Sequence, residues 1–151
     1  MKIALLLGVV AWSVTAQALT PNELNRLGYD QHIGQTLSGN IPFEDSHQRS
    51  LTLGELRNGK PTLLVLGYYH CPMLCTLIND GLIESLQELR FDVGKDFNVV
   101  NLSIDPHETP DVAAATKKEY LKRYGRPGAE AGWPFLTGSQ PATRQLTNED
   151  R

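Results

Sequence analysis

Cysteine is scarce in this chain of 151 residues: Cys71 and Cys75 are the only two. That excludes a small fold stapled by several disulfides. A bridge between residues four apart closes a very small loop and removes little entropy from the unfolded chain, so a purely structural role for the pair is weak. Long hydrophobic runs are missing too. The longest, Ile3 to Val14, is too short for a bilayer, which needs about 20 apolar residues. A basic excess is also absent, with 14 Lys and Arg against 17 Asp and Glu. Neither nucleic acid nor an anionic membrane surface is implied as partner. There is no internal repeat, no low-complexity tract and no interdomain linker.

The first residues are read apart from the fold. Lys2 is a short basic start, Ile3 to Val14 is apolar, and Ala16-Gln17-Ala18 has the small-x-small pattern of a cleavage site. The segment 1–18 is therefore expected to be a secretory signal peptide. The alternative is an uncleaved inner-membrane anchor facing the periplasm. No cysteine follows the run, so a lipid-anchored mature chain is not expected. Residues 19–151 then form one exported domain in an oxidising compartment, most simply the periplasm, with no stable membrane anchor. Its length suffices for a real core.

Leu19 to Ile41 reads as an extended lead-in, and Phe43 to Asn58 as polar with Leu51, Leu53 and Leu56 as isolated anchors. Asn58-Gly59-Lys60-Pro61 is a turn. Thr62 to Tyr69 is almost wholly apolar, which suits a strand buried on both faces. Pro72 suits the first turn of a helix. From there Leu74, Leu77, Ile78, Leu82, Leu86 and Leu89 recur at helical spacing, ending near Arg90. Phe97 to Ile104 is a second strand. Thr109-Pro110-Asp111 opens a helix that Gly125 stops. Trp133 to Thr137 is a short third strand, expected at an edge because of Pro134, and residues after Ser139 begin another helix. Alternation of this kind predicts an α/β fold with a parallel sheet. Functional residues gather at the C-terminal strand ends of such sheets, where Cys71 and Asp105 fall.

With a helix starting near Pro72, Cys71 lies at its N-terminal mouth, where the dipole favours thiolate. Cys75 is one turn on and on the same face. Soft thiolates select Cu(I). The three-residue gap is one wider than the usual redox motif; it admits a metal between the sulfurs and still permits a disulfide. A thiol–disulfide oxidoreductase acting on other periplasmic thiol proteins is the alternative, so enzymatic activity stays open. A thiol peroxidase lacks its surrounding motif, and two cysteines without a histidine pair fall short of structural zinc. His70 and His107 read as bystanders, and Met73 as packing. Asp105 either caps the turn before Pro106 or sits behind the site.

The run Gly67-Tyr68-Tyr69-His70-Cys71-Pro72-Met73-Leu74-Cys75 resembles the copper motif of the Sco/SenC family. Leu102 to Pro110, with Asp105-Pro106-His107-Glu108-Thr109-Pro110, resembles its second signature, and Gly132-Trp133-Pro134-Phe135-Leu136-Thr137-Gly138 a third. The resemblance implies a thioredoxin-like fold and copper, as Cu(I) or Cu(II), on Cys71 and Cys75. It also implies a part in assembling the dinuclear copper centre of cytochrome c oxidase, whose copper-accepting subunit would be the partner. The family's third ligand is a histidine far downstream. This chain has His32, His47, His70 and His107 and none later. The sequence thus reads as a C-terminally truncated member, lacking the final β-hairpin and C-terminal helix. Weak, two-coordinate Cu(I) and a marginal fold are the matching expectations.

Overall fold

The computed structural model describes residues 33–70 and 74–149. The expected signal peptide and most of the lead-in lie outside the described residues, as do Cys71, Pro72 and Met73. The elements run β1 (Pro42–Asp45), β2 (Ser50–Thr52), α1 (Leu53–Arg57), β3 (Thr62–Gly67), α2 (Leu74–Glu88), β4 (Asn98–Ser103), α3 (Pro110–Tyr124), α4 (Ala129–Gly132), β5 (Phe135–Thr137) and α5 (Gln140–Glu149). One sheet has the order β2-β1-β5-β4-β3. Strands β3, β4 and β5 are parallel, and the β1–β2 hairpin joins them antiparallel through β5.

The α/β expectation holds, with two corrections in the sheet. Among the described residues β3 pairs with β4 alone, and none of its residues is fully buried, so it is not buried on both faces. Its apolar composition reflects one neighbour and partial cover. β5, expected at an edge, is central. Pro134 sits one residue before it, where the missing N–H takes no bond from the ladder, and its carbonyl accepts from the Asn101 amide at 3.0 Å. The fully buried strands are β4 and β5.

Polar spacing hid β1, β2 and α1. In β1 the inward positions are Phe43 and Asp45, so the alternation contains a carboxylate where an apolar residue is usual. Asp45 accepts from the amides of His47 (2.8 Å) and Arg49 (2.9 Å) and pairs with the Arg49 guanidinium at 2.6 Å. Those bonds close the hairpin turn, in which Gln48 takes φ +61°. Burial pushes the Asp45 carboxyl up, but the Arg49 guanidinium and amide and the His47 amide together hold it below the ordinary carboxylate range. Because the folded group is the stronger acid, its contribution is complete above the unfolded pKa and is lost as pH falls through the folded one. Stability should therefore drop below about pH 4. In a Tm-against-pH series, Asp45→Asn should flatten that part of the profile.

Packing falls on two faces of the sheet. On one, Ile83 and Leu86 of α2 meet Val99, Ala113, Tyr120, Tyr124, Ala129, Trp133 and Phe135. Trp133 is edge-on to Tyr124 at 5.5 Å and donates Nε1–H to the Asn101 carboxamide oxygen at 2.7 Å. A buried indole needs such an acceptor. On the other face Ile41, Phe43, Leu53, Val100, Leu102, Leu136, Ala142 and Leu146 form a second cluster. α3 ends at Gly125, whose φ of +73° lets its amide reach the Leu121 carbonyl at 3.0 Å. α2 departs from the single apolar stripe its sequence suggests. Ile83 and Leu86 point inward, whereas Leu77, Ile78 and Leu89 are exposed.

Candidate functional site

Two strand ends build the site. β3 stops at Gly67 and leads through Tyr68, Tyr69 and His70 to the cysteine segment, after which α2 begins at Leu74. β4 stops at Ser103 and leads through Asp105 and Glu108 to Pro110, the first residue of α3. The Ile104 amide donates to the Gly67 carbonyl at 2.9 Å, so both exits start in register. Cys75 lies in the first turn of α2, as its spacing from Pro72 suggests. Cys71 lies outside the described residues.

Glu108 joins the two exits. Its Oε2 accepts from the Tyr69 amide at 2.9 Å and its Oε1 from the His70 amide at 2.6 Å. The carboxylate side chain is only 5% exposed. Two charged hydrogen bonds to consecutive amides fix the backbone immediately before Cys71. In the sequence Glu108 stands inside the second signature, with no role assigned to it. The available signal was a carboxylate at the C-terminal end of a parallel strand, opposite a loop with free amides.

Asp105 does something more local. Its Oδ1 accepts from the His107 amide at 2.9 Å and lies 2.8 Å from His107 Nδ1. The His107 amide, then its ring, holds the Asp105 carboxyl below its ordinary range. This is the turn-capping alternative; the described contacts of Asp105 stay within its own turn. His107 and His70 are both largely exposed, and His70 Nδ1 is 3.6 Å from Glu108.

Tyr69 anchors the β3 exit from below. Its hydroxyl lies 2.7 Å from the Leu136 carbonyl and 3.0 Å from that of Asn101, tying the loop to β5 and β4. Burial raises its pKa far out of reach, so it remains a neutral donor. Asn79 in α2, four residues after Cys75, is buried, and its side-chain oxygen has no hydrogen-bond partner among the described residues. It lines a cavity of about 30 Å³ with Gly67, Tyr68, Tyr69 and Asn101, room for about one water. No cluster of three or more His, Cys, Asp or Glu suited to a metal occurs among the described residues. No helix among them is long and apolar enough to cross a membrane.

A family model described as SCO1/SenC matches residues 34–149. Among solved structures, the chain is similar to a protein of Aquifex aeolicus VF5 whose assignment to electron transfer is provisional. The identity is 29% and the TM-score 0.62, over 77% of this chain and 70% of that one. It is similar to Bradyrhizobium japonicum ScoI with copper bound at 26% identity and TM-score 0.51, over 77% and 68%. Yeast Sco1 with copper bound aligns at 25% identity and TM-score 0.56, over 78% of this chain and 60% of its own. No curated protein matches the chain. The expected thioredoxin-like fold is thereby borne out.

Proposed function

The chain belongs to the SCO1/SenC family, and from that premise we propose that it binds copper and serves cytochrome c oxidase assembly, carrying Cu(I) as cargo on Cys71 and Cys75. The observation that carries this reading is the position of the pair. Both cysteines follow the β3 exit, four residues apart, with Cys75 in the first turn of α2. The donor set fits the cargo, because two thiolates are soft ligands and Cu(I) accepts two-coordinate binding. The helix N-terminus favours the deprotonated form that a metal requires. Copper bound to two related Sco proteins supports the same assignment. The chain's own residues supply the frame: Glu108 holds the backbone ahead of the first ligand and Tyr69 pins it to the sheet.

Anaerobic Cu(I) titration of the reduced chain tests the proposal. One equivalent should bind, and a Cys71→Ser, Cys75→Ser double variant should lose it. Binding that survives the double variant would sink the reading. The same proposal has residues 1–18 act as an export signal to the periplasm and takes the copper-receiving subunit of the oxidase as acceptor. Cell fractionation and a copper-transfer assay to that subunit check these two points. A thiol–disulfide exchange role is the second reading, favoured by a thiol in the first turn of a helix of 15 residues. Turnover on a protein disulfide no faster than with free dithiol would remove it.

A further inference from the structure

The hairpin side of the sheet carries polar side chains that the copper site does not use. Glu44 of β1 lies opposite Ser50 of β2 on one side and Thr137 of β5 on the other. Side chains directly opposite in antiparallel strands share a face, about 5 Å apart. Ser50, Glu44 and Thr137 therefore form a polar row across three strands. It lies on the face where Phe135, two residues before Thr137, meets Tyr120 of α3 at 5.3 Å. The row lines a cavity of about 450 Å³, together with the 106–110 loop and the start of α3. The cavity lies on the β1 half of the sheet, with β4 between it and β3.

The polar groups there are short of partners. Thr137 is only 4% exposed, yet its hydroxyl takes no hydrogen bond among the described residues. A buried hydroxyl ordinarily has one. Glu44 forms no ion pair among the described residues. Thr109, the N-cap of α3, makes no side-chain capping bond. Glu108 also lines the cavity, but the Tyr69 and His70 amides already occupy its oxygens. The His107 ring is held by Asp105. The N-terminus of α3 opens here too, and Asp111 in its first turn supplies the negative charge its dipole favours. No lysine or arginine lines the cavity. What is left is one carboxylate and a set of hydroxyls, all able to accept. That set suits a compact cation with several N–H donors, and an ammonium has three. Pro42, Pro106 and Pro110 add rigid apolar wall for a methylene stem.

We propose that this cavity is a docking site for a lysine side chain carried on an extended segment of a partner protein. Its volume falls in the range of ligand clefts, about 300–1,000 Å³. The 106–110 loop that walls it also holds, through Glu108, the backbone ahead of Cys71. A partner anchored here lies beside the cysteine pair. Resting on the copper-carrier reading above, the lysine belongs to the protein that takes up the copper.

Two measurements test the proposal. In the first, the full chain without copper is titrated with the peptide acetyl-Ala-Lys-Ala-amide and followed by amide NMR shifts. Shifts centred on Glu44, Ser50 and Thr137 are expected at low salt, with Kd on the order of 1–10 mM, weakening as salt rises. The norleucine analogue, with the same stem and no charge, should bind at least about tenfold more weakly. Glu44→Gln should cost about tenfold and Thr137→Val about threefold. Glu84→Gln, at an exposed position on α2, should cost nothing. Equal binding of the norleucine peptide, shifts centred elsewhere, or indifference to Glu44→Gln overturns the site. In the second, the copper-loaded chain delivers Cu(I) to the copper-receiving subunit of the oxidase. Glu44→Lys should slow transfer at least about tenfold with Cu(I) affinity unchanged. An unchanged transfer rate overturns the assignment of the partner. A chain that binds no Cu(I) fails the copper reading instead, and the peptide titration still decides the cavity.

Discussion

Replacing Gly132 by alanine should remove about 3 kcal/mol or more of stability, read as a fall in Tm of about 10 °C. A Cβ at this position would run into Gly94 Cα, lie 2.6 Å from Gly94 N and 3.0 Å from Asn98 Oδ1. The first two are backbone atoms, which cannot rotate away as a side chain can. Gly94 is itself fixed. Its φ is +87°, its amide donates to the Phe97 carbonyl at 2.8 Å, and its own carbonyl accepts from Lys60 Nζ at 2.6 Å. Relief must therefore come from displacing α4, and with it Trp133, the largest fully buried side chain. Thermal unfolding of Gly132→Ala beside Gly81→Ala is the check. A Cβ at Gly81 meets nothing within 4 Å, and alanine is the better helix former by about 1 kcal/mol. Equal Tm values for the two variants would refute the close approach as the reason for Gly132.

Removing the Glu108 carboxylate should weaken Cu(I) binding by about tenfold to a hundredfold, the usual effect of losing a group that orients a ligand. The chain should still fold. Glu108→Ala leaves the amides of Tyr69 and His70 without their acceptor. Glu108→Gln keeps one oxygen and should fall between alanine and wild type. Glu108→Asp keeps the charge but shortens the reach. Competition titration against a Cu(I) chelator measures the affinity, and a melt run in parallel measures stability. A lowered Tm with unchanged affinity would make Glu108 a purely structural clamp. An affinity loss graded from Gln to Ala, with Tm nearly constant, would identify it as the positioning residue for the first sulfur.

Where apolar residues carry the pattern, sequence and structure agree closely. β3, β4, the helices Leu74–Glu88 and Pro110–Tyr124, and a helix after Ser139 all lie where periodicity and stop signals put them. The failures have physical causes. β1 was hidden because the buried Asp45 interrupts its alternation. α1 is short, yet Thr52 and Glu55 form a capping box, with the Thr52 amide 2.7 Å from Glu55 Oε2; that spacing was readable. Strand order was beyond local pattern, since Pro134 looks the same whether β5 is central or at an edge. At the site, the cysteines were legible from spacing. Glu108 was not, because its partners are backbone amides 38 and 39 residues away.

The place of β5 in the sheet has a consequence for the birth of the protein. Among the described residues, the hairpin of residues 42–52 and the parallel pair formed by residues 62–67 and 98–103 touch each other in the sheet only through residues 135–137. A chain emerging N-terminus first therefore holds two half-sheets that cannot join until residues 135–137 are out. Neither half buries both faces, and closing the gap needs contacts between positions far apart in sequence, which form slowly. A joining strand that comes some thirty residues after its parallel neighbour thus works as a timer, delaying closure of the sheet until residues 135–137 have emerged.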